Sequence, residues 1–76
     1  MADSIAAAIL ATVYTYWVEI LRPTGWEHIH HPDWETSDSY GDTMAYAIRV
    51  RDDHPGEQVR IVERAEGHPD HHIPVT

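Results

Sequence analysis

Thr12-Val-Tyr-Thr-Tyr-Trp-Val-Glu-Ile-Leu-Arg-Pro-Thr-Gly-Trp-Glu-His-Ile-His30 is the stretch on which the fold turns. Thr12 to Leu21 is β-branched and aromatic, a composition that suits a pleated, half-buried surface, and it predicts a strand. Arg22-Pro-Thr-Gly25 follows. Proline presets φ at the first turn position, and glycine tolerates a positive φ at the third position of a three-residue loop. Trp26-Glu-His-Ile-His30 is then the return strand. One long helix from Ser4 to Leu21 is the competing reading.

A three-residue loop sets Arg22 opposite Trp26, Ile20 opposite His28 and Val18 opposite His30. Strand alternation then sorts the side chains. One face holds Tyr14, Tyr16, Val18, Ile20, Trp26, His28 and His30. The other holds Val13, Thr15, Trp17, Glu19, Leu21, Glu27 and Ile29. The first set carries less charge and is assigned to the core. A slip of one residue would reverse that assignment.

Upstream, Asp3 or Ser4 can cap a short helix through Ile5 to Ala11. Downstream, His31-Pro-Asp-Trp-Glu-Thr-Ser-Asp38 is a polar connection whose last residues can start a helix. Tyr40, Met44, Ala47, Ile48 and Arg51 fall at helical spacing. Met44, Tyr46, Ile48 and Val50 also alternate as a strand would, but the alanines and the preceding caps favour helix. His54-Pro-Gly56 stops it, and Val59-Arg-Ile-Val-Glu-Arg64 predicts a strand. Ala65 to Thr76 holds two prolines and three histidines and little to bury. Alone it would be mobile, unless it packs or a partner holds it.

These elements predict one α+β domain over residues 1–64, with a helical segment at 1–11 and a His/Pro-rich tail at 65–76. A right-handed crossover places the third strand beside the first. The expected sheet is therefore three-stranded and antiparallel (β-β-α-β, order 2-1-3), with one helix on one face.

Composition narrows the function. A chain of 76 residues buries only roughly 60% of its unfolded surface, so one helix on one sheet leaves little room for a deep cleft. Thirteen acids face five basic residues, all arginine, for a net charge of -8. That field disfavours nucleic acid and anionic membranes and suits a basic protein partner. Absence of cysteine excludes disulfides, thiolate catalysis and cysteine zinc sites. The apolar stretch from Ser4 to Val18 lacks a preceding basic region and is too short to span a bilayer. A cytoplasmic setting is expected. The four isolated glycines build no phosphate loop, and no Gly-x-Ser-x-Gly elbow occurs. No enzymatic activity is expected.

Tyr16-Trp-Val-Glu19, the Pro23-Thr-Gly-Trp26 hairpin and Met44-Ala-Tyr-Ala-Ile-Arg-Val-Arg-Asp-Asp-His-Pro-Gly56 leading into Val59–Arg64 carry a resemblance. Over roughly residues 12–64 the pattern resembles small proteins of actinobacteria and their phages that mostly lack assigned functions. The resemblance implies an accessory protein that binds and modulates a host protein. It assigns no functional residue.

Two readings of the surface follow. Trp17, Glu19, Leu21, Glu27 and Ile29 share the uncovered sheet face, an apolar patch with an acidic rim of the kind that marks a protein interface. It would engage a basic protein or a second copy of the chain. The covering alternative is the N-terminal segment with Ile5, Ile9 and Leu10. The second reading concerns the histidines. His28, His30 and His31 lie near Asp33, and His68, His71 and His72 near Asp70, with His-Pro-Asp at both 31–33 and 68–70. Imidazole and carboxylate are the ligands left for zinc or another divalent metal when thiolate is absent. If the tail folded back, both clusters would meet at one ion. Without a metal, no cofactor is expected. The seven histidines would also discharge most of the net negative charge in mild acid and weaken partner binding.

Overall fold

A computed structural model describes residues 13–76. Strand β1 (Tyr14–Arg22) is the centre of the architecture. It pairs with β2 (Gly25–Ile29) on one side and β3 (Val59–Ala65) on the other. Helix α1 (Tyr40–Asp53) lies between β2 and β3 in sequence. The tail forms a further strand, β4 (His71–Val75), against β3. The sheet is thus four-stranded and antiparallel, in the order β2-β1-β3-β4. The α+β class and the predicted 2-1-3 core hold, and the count of three strands is corrected to four. The predicted helix at 1–11 and its covering role lie outside the described residues.

The tail is ordered by what its neighbour offers. β3 would otherwise be an edge with unpaired N–H and C=O groups. Ile73 pairs with Ile61 and Val75 with Val59, and both pack against the core. Pro74 is tolerated because β4 is the edge strand, where a missing N–H breaks no inner ladder.

The hairpin register differs from the expected one by one residue. Arg22 pairs with Gly25, Leu21 with Trp26, Glu19 with His28 and Val18 with Ile29. The connection is therefore the two residues Pro23 and Thr24. The reason is tertiary. The expected register would bury His28 and His30 and expose Ile29. The observed one packs Ile29 against the core and leaves both imidazoles on the other face. Burying a polar ring without full hydrogen bonding opposes folding, whereas burying isoleucine favours it.

Gly25 closes this hairpin with φ of 119°. No atom would obstruct a Cβ there, so the demand is conformational only. Gly25→Ala is expected to lower stability by about 1–2 kcal/mol, the usual penalty for an L-residue at positive φ. Denaturant unfolding at constant m measures it.

α1 begins where Ser39 accepts a hydrogen bond from the Asp42 N–H. Its buried stripe is Thr43, Ala47 and Val50. The expected stripe through Tyr40, Ile48 and Arg51 is corrected by this offset, since Tyr40 and Ile48 are exposed. Thr43 can be buried because its hydroxyl donates to the Ser39 carbonyl at 2.8 Å. The stripe packs on Tyr16, Val18 and Ile20 of β1 and Val59 and Ile61 of β3, with Ile29, Met44, Tyr46, Ile73 and Val75 at the margin. The core therefore sits on one sheet face only. Two backbone hydrogen bonds between Tyr16 and Ser37 fasten the connection to β1.

Candidate functional site

Among the described residues no helix packs on the opposite sheet face. Alternation places Trp17, Glu19 and Leu21 of β1 there, beside Trp26 and His28 of β2. Arg60, Val62 and Arg64 of β3 and His72 and Pro74 of β4 complete it.

The charges on this face are bound to one another and to the rings. Glu19 accepts from Trp17 Nε1 at 3.0 Å and from Arg60 Nε and Nη2 at 2.9 and 2.7 Å. The Arg60 guanidinium lies 3.8 Å from the centre of the Trp26 ring. Arg64 lies 4.7 Å from the Trp17 ring and donates twice to Asp70, at 2.9 and 2.7 Å. His28 stacks on Trp17 at 5.8 Å and on His30 at 4.2 Å. A planar cation over an indole with a carboxylate at its edge is thus built twice, through cation–π attraction and charge-assisted hydrogen bonds. The hydrogen-bonded Arg64 holds the Asp70 carboxyl below the usual range. Burial, with the Glu63 carboxylate adding, raises the phenol of Tyr16 on the core side.

This arrangement moves the centre of the expected patch. Trp17 is only 8% exposed and Val62 1%, while Trp26 is 36% exposed. Glu19 is the shared acceptor at the centre, not part of a rim. Trp17, Glu19 and Leu21 do share a face, as expected. Glu27 and Ile29 do not join them, because the register turns both toward the helix side. Glu27 instead approaches Arg22 at 3.5 Å. Trp26 borders a groove of about 360 Å³ whose other lining includes Arg60, His72, Pro74 and Val75. Arg60, Arg64 and Pro74 were not expected at the site. Alternation of Val59 and Ile61 with Arg60 and Val62 is the sequence signal that separates the two faces of β3.

The histidine clusters stay apart. His28, His30, His31 and Asp33 belong to β2 and the connection after it, whereas His71 and His72 belong to β4, at the opposite sheet edge. Three strand spacings separate those edges, roughly 14 Å. The tail pairs with β3 and does not fold back to the first cluster. Asp70 is engaged by Arg64, His71 faces Glu63 at 3.7 Å, and the His68 N–H bonds the Ala65 carbonyl. His31 Nδ1 accepts from the Asp33 N–H at 3.0 Å. Among the described residues no group of three or more His, Asp or Glu side chains converges to hold a metal ion. No described helix is long and apolar enough to cross a membrane.

No family model, curated protein or solved structure matches this chain.

Proposed function

We propose that this chain is a non-enzymatic protein-interaction module and that its helix-free sheet face receives a protein partner. The observation that carries this reading is Trp26. A half-exposed indole stands beside a groove of about 360 Å³, on a face where the arginines are already neutralised. An aromatic anchor next to a pocket is the usual centre of binding energy at an interface. The partner is basic, because the net charge of -8 draws a basic surface and repels an acidic one. A small accessory protein of phage type, acting on a host protein, is the setting that fits.

The test is affinity capture with purified chain and three variants, followed by quantitative binding to the captured protein. Trp26→Ala is expected to weaken binding at least tenfold, the effect of losing a hot-spot residue. Ile48→Ser, on the exposed side of α1, is expected to leave it unchanged. Raising salt is expected to slow association. Equal affinity for Trp26→Ala and the unaltered chain would sink the assignment of the face.

A further inference from the structure

The chain has three tryptophans, and two of them carry an arginine on the ring with a carboxylate at the arginine's edge. Trp34 is the third. The connection between β2 and α1 holds it against His31, ring to ring at 4.3 Å and 2° from parallel. Tyr46 of α1 meets both rings edge-on, at 4.7 and 5.7 Å, and its hydroxyl donates to the His30 carbonyl. The indole is therefore held by residues from two elements and is set before any ligand arrives.

Trp34 walls two clefts. The smaller, about 230 Å³, includes one cation, Arg49, and one carboxylate, Asp42, which both clefts share, so it has no net charge to draw a second cation. The larger, about 410 Å³, is lined by Trp34, Asp38, Asp42, Thr15, Thr36 and Ser37. It offers an indole, two exposed carboxylates and the hydroxyls of Thr15 and Thr36, and no cationic side chain; the Ser37 hydroxyl is held by the Ser39 backbone. Among the described residues neither Asp38 nor Asp42 pairs with an arginine; the arginine pairs there use Glu19, Glu27, Asp52, Glu57 and Asp70. The Asp42 carboxylate is not needed as a helix cap, since Ser39 already accepts the Asp42 N–H. Two full negative charges outweigh the partial positive charge of the helix start.

We infer that this cleft receives an arginine side chain of a basic partner polypeptide. It completes at Trp34 the indole–guanidinium–carboxylate arrangement that the chain itself builds at Trp26 and Trp17. Arginine fits better than lysine. Its flat guanidinium can lie on the indole while its edge donates to both carboxylates, whereas an ammonium is a compact, strongly hydrated point charge. The inference deepens the reading of a basic partner but does not depend on the sheet face, because Trp26 lines neither cleft.

The probe is a hexa-arginine peptide, titrated into the full chain while the indole N–H signals are followed by NMR. The Trp34 signal is expected to shift saturably, and those of Trp17 and Trp26 to stay. The double variant Asp38→Asn, Asp42→Asn keeps the side-chain volumes and is expected to bind at least tenfold more weakly, with its unliganded spectrum retained. Hexa-lysine is expected to bind several-fold more weakly than hexa-arginine. Ile48→Ser, at an exposed position that lines neither cleft, is expected to bind the peptide as the unaltered chain does, and the unmoved Trp26 signal separates this site from the sheet face. A static Trp34 signal, unchanged affinity in the double variant, or equal affinity for the two peptides would each overturn the inference.

Discussion

A chain ending at Ala65 is expected not to fold. Removing residues 66–76 takes away β4, which pairs with β3 from Val59 to Glu63. It also takes Ile73 and Val75 from the core margin and the Thr76 carbonyl that accepts from Arg51 at 2.6 Å. Each ladder hydrogen bond contributes about 1 kcal/mol net. The two half-buried aliphatic side chains add about 1 kcal/mol each. The combined loss is several kcal/mol, comparable with the whole stability of a small domain, on the order of 5 kcal/mol. Deletion would also turn β3 into an exposed edge, inviting association. Amide dispersion in NMR and a thermal melt measure the outcome. A cooperative melt within about 5 °C of the full chain would show that β4 lies outside the cooperative unit.

Ile20→Ala is expected to have an effect of similar size. Ile20 is 0% exposed and stands in the central strand, between Glu27 of β2 and Val59 of β3. Truncating a fully buried isoleucine removes its transfer free energy and leaves a cavity, together about 2–5 kcal/mol. In a domain this small each kcal/mol moves the melting temperature by about 4–8 °C, so a fall of more than about 10 °C is expected. Ile48→Ala is the contrast. Ile48 is 38% exposed, and its truncation is expected to change stability by no more than about 0.5 kcal/mol. Equal effects at the two positions would contradict the assignment of the core to this sheet face.

The site was only partly legible from the chain. Trp17, Glu19 and Leu21 could be grouped because alternation within one strand needs no partner. Their role could not be read the same way. Trp17 becomes buried because His28 and Arg64 lie against it, and those residues arrive from β2 and β3. Trp26 was assigned to the core and is instead the half-exposed ring of the open face. The acidic balance was plain from composition. Which acids remain without an arginine follows only from where the five arginines land. The four described pairing arginines take acids on β1, β2, the α1 C-terminus, the segment before β3 and the turn before β4. Asp38 and Asp42 are left beside Trp34.

By itself the amino-acid sequence determined the α+β class, the identity and faces of β1, the helix after the polar connection, and the strand at Val59. Each of these is written in local terms: β-branched and aromatic runs, alanine and a serine cap, a proline–glycine stop. The register of β2 and the existence of β4 were decided by tertiary structure. Two- and three-residue closures of the Pro23–Gly25 turn are close alternatives locally, and the packing of Ile29 against the core on one sheet face separates them. Likewise His71–Val75 has little to bury alone, and becomes a strand because β3 presents an unpaired edge with Val59 and Ile61 waiting for aliphatic partners.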